Sequence, residues 1–183
     1  MIRTLTTRLR TFLRGRDGSY SIELAIVAPI LIWGVLATYT FVDGYRMQTL
    51  NLRATTAISD LLSRQWNPID GDFVDGLGRA HAFLTNDAHP TSLRVTVVRW
   101  DEKANTLHLV WSRSTDGAPQ PHTDGTLPDL APHVPVLADA DTAIVVETWM
   151  DYTPPFAVGL SEETFDNRLI VSPRFVPQLK FTS

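Results

Sequence analysis

The spacing of apolar and polar residues changes character four times along the chain. From Leu24 to Val42, nineteen consecutive residues carry no charge. As a helix rising about 1.5 Å per residue they would reach roughly 28 Å, close to the hydrocarbon thickness of a bilayer. Past Asp43 and Gly44, the residues Met47, Leu50, Ala54, Ala57, Ile58 and Leu61 recur at helical spacing, while Arg46, Asn51, Arg53, Asp60 and Arg64 fall mostly elsewhere. That pattern predicts an amphipathic extension of the same helix, ending at Asn67-Pro68 because a residue before proline is pushed out of the helical region. Pro29 removes one backbone donor inside the span and predicts a kink there, which lipid-embedded helices tolerate.

A second, shorter helix is predicted over Phe73 to Leu84, with Phe73, Leu77, Ala80, Phe83 and Leu84 as its apolar face; Gly76 and Gly78 weaken it. From Ser92 the period becomes two. Val95 and Val97, then Leu107, Leu109 and Trp111 beyond the polar turn Asp101-Glu102-Lys103-Ala104-Asn105, alternate with polar residues and predict an antiparallel hairpin. Residues 114–141 hold Pro119, Pro121, Pro128, Pro132 and Pro135 with little periodicity, which reads as a long surface loop or flap. Two further strands are expected, Thr142 to Tyr152 and Arg168 to Val176, divided by the loop around Pro154-Pro155. The order predicts an α+β fold: a long transmembrane-plus-amphipathic helix, a second short helix, and a four-stranded antiparallel sheet packed on them.

Charge turns the apolar run from a core helix into a membrane candidate. Residues 1–18 carry Arg3, Arg8, Arg10, Arg14 and Arg16 against the single acid Asp17, so the positive-inside rule holds the N-terminus in the cytoplasm and sends residues 67–183 across. The leader's apolar positions, Ile2, Leu5, Leu9, Phe12 and Leu13, also fit an amphipathic helix on the inner membrane face; a plain basic n-region is the alternative. Trp33, Tyr39 and Tyr45 are ordinary membrane aromatics, the tyrosines at the outer interface. The chain thus divides into a leader (1–18), a membrane helix with its extension (19–66) and an exported domain (67–183), whose roughly 117 residues suffice for one core. The formal charge of −4 includes the leader's five arginines and one aspartate; without them 11 basic and 19 acidic residues remain, or −8. Such a surface argues against nucleic acid as a partner. With no cysteine, the domain must hold by packing alone.

Candidate chemistry is sparse. His81, His89, His108, His122 and His133 show no pair at metal-ligand spacing, so no metal site is expected. Asp70-Gly71-Asp72 with Asp75 resembles a calcium loop only loosely and reads better as a solvated helix start with acids near the positive end of the dipole. Glu162-Glu163 is expected in a polar loop without a partner acid or base. There is no Gly-rich phosphate loop and no nucleophile elbow, so neither an enzyme, a small-molecule substrate nor a cofactor is expected.

A basic leader ending in Gly18, the small residue Ser19, an acid at Glu23 and an apolar run passing into an amphipathic helix resemble the N-terminus of type IV pilins. More narrowly, the stretch from Asp17-Gly18-Ser19 through Glu23-Leu24-Ala25 to Ala28-Pro29 is similar to the TadE-like segment of minor pilins and pseudopilins of the Tad (tight adherence) system. The likeness covers about residues 15–62. Members of that group often have an aromatic after the glutamate, where this chain has Leu24. The resemblance implies a subunit cut between Gly18 and Ser19 by a prepilin peptidase at the cytoplasmic face. It would be held in the bacterial inner membrane through the helix that contains Leu24, Pro29, Trp33 and Val42, then assembled with other pilin or pseudopilin subunits into a pilus serving adhesion or secretion. In that setting Glu23 would pair with the new α-amine of a neighbouring subunit and set axial register; snorkelling to the inner headgroups is the alternative. Two other fates remain open. One is an uncleaved single-pass envelope protein with a periplasmic binding domain. The other is a secreted domain beginning at Thr38, after the weak signal-peptidase pattern Val35-Leu36-Ala37.

Overall fold

Residues 19–182 are described in the computed structural model of the chain. Helix α1, Ser19–Ser63, runs unbroken for 45 residues through Pro29, about 67 Å at 1.5 Å per residue. It is long and apolar enough to cross a membrane. It ends three residues short of the expected 66, and its two halves differ. Up to Leu36 no described side chain is buried; from Ala37 onward one face is, through Thr40, Gly44, Asn51, Ala54, Thr55, Ile58, Ser59, Leu62 and Ser63.

This buried face is a correction to the expected stripe. Ala54 and Ile58 lie inside as predicted, but Leu61 is exposed, as is Ala57, and small polar residues take the contact instead. Their hydroxyls are satisfied by the helix itself: Thr55 donates to the Asn51 carbonyl and Ser59 to that of Thr55, each at 2.8 Å. Such hydroxyls let a sheet approach closely with their own polar atoms satisfied, whereas Asn51 on the same face donates its amide to the Phe165 carbonyl and leaves its Oδ1 without a partner among the described residues. Across the contact, the Thr55 and Thr148 hydroxyls meet at 2.7 Å.

Helix α2, Gly71–Leu84, starts where Asp70 caps it, its Oδ1 accepting from the Phe73 amide at 2.8 Å. Its buried residues are Val74, Leu77 and His81, a face rotated from the predicted one; Phe83 and Leu84 point outward. Gly78 is required by the close approach of the segment after β2, since a Cβ there would lie 2.9 Å from Thr115 Cγ2.

Four strands follow: β1 (Thr91–Asp101), β2 (Thr106–Ser114), β3 (Thr142–Tyr152) and β4 (Glu163–Val171). They form one antiparallel sheet in the order β2-β1-β3-β4. β4 starts five residues before its predicted position, and Glu163 is paired with Tyr152 rather than free in a loop. Its first half reads Glu-Thr-Phe-Asp-Asn, too polar for an apolar alternation, as suits an edge strand. Residues 173–176 leave the sheet instead: the Arg174 amide donates to the Ser63 carbonyl at 2.8 Å and Phe175 stacks on Trp66.

The β1–β2 register shifts between Val97 and Val98, leaving Val110 as the extra residue. Leu107 and Leu109 therefore join one face and Trp111 the other, against the simple alternation expected of all three. On the helix side lie Leu93, Val95, Val97, Ile144 and Val146, packed on Ile58, Leu62, Val74 and Leu77; the Trp111 indole N–H reaches the Leu179 carbonyl there at 2.8 Å. The opposite face is covered by the segment expected to be a loop. It holds a 3-10 turn (Asp124–Thr126), the single-turn helix α3 (Leu127–Leu130) and a second 3-10 turn (Ala131–His133). Leu127 and Leu130 close a second core with Val98, Leu107, Ala143 and Val145. The prolines mark its turns, Pro128 and Pro132 each sitting second in a helical turn, where the missing amide costs no hydrogen bond.

Candidate assembly helix and the clasp on its domain

Of the residues singled out by sequence, Ser19, Glu23, Leu24, Pro29 and Trp33 fall on the unclasped half of α1, and Val42 falls within the half that the domain covers. Gly18 lies outside the described residues, and Ser19 is the first residue of the helix. Glu23 is exposed and, among the described residues, forms no ion pair. Leu24 and Val42, 66% and 62% exposed, bracket a surface on which Pro29 and Trp33 also face outward. Ile22, Ile26, Ile30, Leu31, Ile32 and Val35 share that exposure, so this half of the helix presents apolar side chains all round. In water such a surface would be strongly unfavourable.

The domain grips α1 first where the uncharged run ends. Tyr152, at the end of β3, donates its hydroxyl to Asp43 Oδ2 at 3.1 Å, with the Thr40 carbonyl at 3.4 Å. Burial first, and then the Asp43 carboxylate, push this phenol up to about 12, so it remains a donor. Phe156 of the β3–β4 loop meets Tyr39 edge-on, ring centroids 6.0 Å apart.

The polar residues that sequence reading missed gather on the flap side of the sheet. Glu147, 1% exposed, sits on β3 between Arg94 of β1 and Arg168 of β4. Arg94 Nε donates to Oε2 at 2.7 Å and Arg168 Nε to Oε1 at 2.9 Å. His122 of the flap brings Nε2 to 3.2 Å from Oε2. Burial alone would raise the Glu147 carboxyl, but hydrogen bonds and charge from Arg94 and then Arg168 outweigh it and hold it below the usual carboxylate range. Burial, followed by the Arg94 charge, lowers His122. The imidazole is therefore neutral near pH 7, with Nε2–H donating to Glu147 and Nδ1 accepting from the Thr126 hydroxyl at 2.9 Å. Arg94 also donates to the Gln120 carbonyl at 2.7 Å and lies over the Trp149 ring. An acid inside the β-branched run of β3 and a base inside that of β1 were the available signal.

Chemically this cluster is a strap. Its carboxylate is held ionised by two guanidinium groups and is a poor proton acceptor, while its hydrogen bonds tie flap residues 120 and 122 to the sheet. Apart from this cluster, near the β1–β2 turn, a cleft of about 520 Å³ between the flap and that turn is walled by Trp100, Leu107, Leu127, Val134 and Leu137. The histidines stay dispersed: His81 is buried in α2, His89 packs on Tyr152 and His108 lies 3.8 Å from Asp101. Among the described residues no three potential ligands come together as a metal set.

No family model, curated protein or solved structure matches the chain.

Proposed function

We propose that this chain is a minor pilin or pseudopilin subunit of a Tad-like (type IV) pilus machine, cut after Gly18 by a prepilin peptidase and stored in the inner membrane before assembly. The observation that carries the reading is the division of α1 into an unclasped apolar half and a half held by a small α+β domain. An apolar helix surface with no partner among the described residues needs lipid first and neighbouring helices later, which is the requirement of a subunit that leaves a bilayer for a helical array.

Glu23 is the assembly residue in this proposal. An ionised carboxylate among packed helices costs on the order of a few kcal/mol unless paired. Cleavage creates a partner, the α-amine of Ser19 on a neighbouring subunit displaced along the axis by about one turn, roughly 6 Å. Glu23→Gln keeps the size and removes the charge. The variant is expected to insert and be processed like the parent but to lose co-purification with other pilus subunits. Assembly equal to that of the parent would remove the register role.

A further inference from the structure

The β3–β4 loop has no place in the reading above, yet its composition and position are specific. Between Asp151 and Glu162 no residue is charged, and Pro154-Pro155-Phe156-Ala157-Val158-Gly159-Leu160 is apolar throughout. A surface loop of a water-exposed domain is ordinarily polar. Here Pro155, Phe156 and Ala157 are exposed, Phe156 at 41%.

The loop also lies at a defined level on α1. Phe156 packs on Tyr39, Tyr152 holds Thr40 and Asp43, and Leu160 lies against Gly44, where a Cβ would come within 3.1 Å of its Cδ2. A hydrocarbon layer of about 30 Å takes about twenty helical residues. If hydrocarbon begins at Ser19 it ends near Tyr39; if it begins at Leu24 it ends near Gly44. The two limits bracket the same four residues that the end of β3 and the loop together touch. Around the helix at that level, Tyr39, Phe41 and Tyr45 are all more than half exposed, and the two tyrosines are amphipathic aromatics of the kind that favours a membrane–water boundary.

We infer that the β3–β4 loop is a membrane foot: residues 154–160 rest in the outer leaflet at the hydrocarbon boundary, with Phe156 inserted beside Tyr39, and fix the domain's height and tilt over the bilayer. The partner is the lipid itself. No headgroup charge is needed, because the loop offers none. The inference rests on α1 spanning the membrane.

The chain has no cysteine, so single cysteines carrying an environment-sensitive fluorophore report one position each in full-length protein reconstituted at low density into phosphatidylcholine vesicles. Ala157→Cys probes the foot while keeping Phe156, Ile30→Cys probes the middle of the span, and Ala104→Cys probes the β1–β2 turn at the far end of the sheet. The expected result is that a nitroxide near the lipid headgroup quenches the label at 157 several-fold more than at 104. A nitroxide near the bilayer centre should quench the label at 30, and aqueous iodide should reach only 104. A label at 157 as open to iodide as that at 104, with 30 still lipid-quenched, overturns the foot and leaves the span intact. A label at 157 shielded from iodide but untouched by lipid nitroxide overturns it in favour of a protein contact. Absence of lipid quenching at 30 overturns the spanning reading and the foot together.

Discussion

His81 is the residue whose environment departs most from what its chemistry wants. It is fully buried on α2, and neither ring nitrogen has a hydrogen-bond partner among the described residues. Burial drives its pKa down from 6.5 to about 4, so the folded protein holds it neutral. Because the unfolded chain binds this proton more readily, the contribution to stability is complete above pH 6.5 and is lost as pH falls toward 4. The loss by pH 4 is about 3 kcal/mol, at 1.36 kcal/mol per unit of pKa. His122, also lowered, acts in the same direction from the same starting pH, whereas the Glu147 contribution is present above its ordinary carboxylate value and is lost only as pH falls through its lower folded one. Urea unfolding of the detergent-solubilised protein between pH 7 and pH 4 should therefore steepen below 6.5. His81→Leu should remove most of that slope. An unchanged slope would mean that the buried imidazole is not its source.

Among the elements, the flap and the sheet face beneath it carry the clearest energetic coupling, through the Arg94–Glu147–Arg168 cluster. Glu147→Ala leaves the Arg94 guanidinium buried without its acid and should cost about 3–5 kcal/mol. The double variant Glu147→Leu with Arg94→Met removes both charges, and Arg168, with its side chain 37% exposed, can turn to water. It should unfold at a higher denaturant concentration than Glu147→Ala alone; a double variant as weak as the sum of its single changes would mean that the pair is not coupled. This cluster also marks where sequence reading stopped. Helix α1, α2 and the β1–β2 hairpin follow from their apolar spacing, and β3 from its run of β-branched and aromatic residues. β4 begins in polar residues, so its apolar pattern starts only in its second half; the bulge at Val110 reverses the side of Trp111, since alternation counts residues and not hydrogen bonds. The flap has no periodic signal because Leu127 and Leu130 seal it through tertiary contact, with too few residues to make a period. Gly18, Ser19 and Glu23 could be singled out by local pattern alone, whereas Glu147, Arg94, Arg168 and His122 come from four separate segments and meet only in the folded sheet.

At the scale of the whole molecule, the chain is one long helix of which the domain covers only the C-terminal part, from about Ala37 onward. The division of labour follows: residues 37–63 serve as the spine of the domain, and residues 19–36 are left for an apolar environment outside it. Whether that environment is first a bilayer entered as a prepilin depends on the cut before Ser19. Intact mass of the protein extracted from membranes measures this directly. A polypeptide lacking residues 1–18, with Ser19 at its N-terminus, is the expected result. A full-length mass would contradict the pilin reading in favour of a retained anchor, and a start at Thr38 would contradict it in favour of secretion.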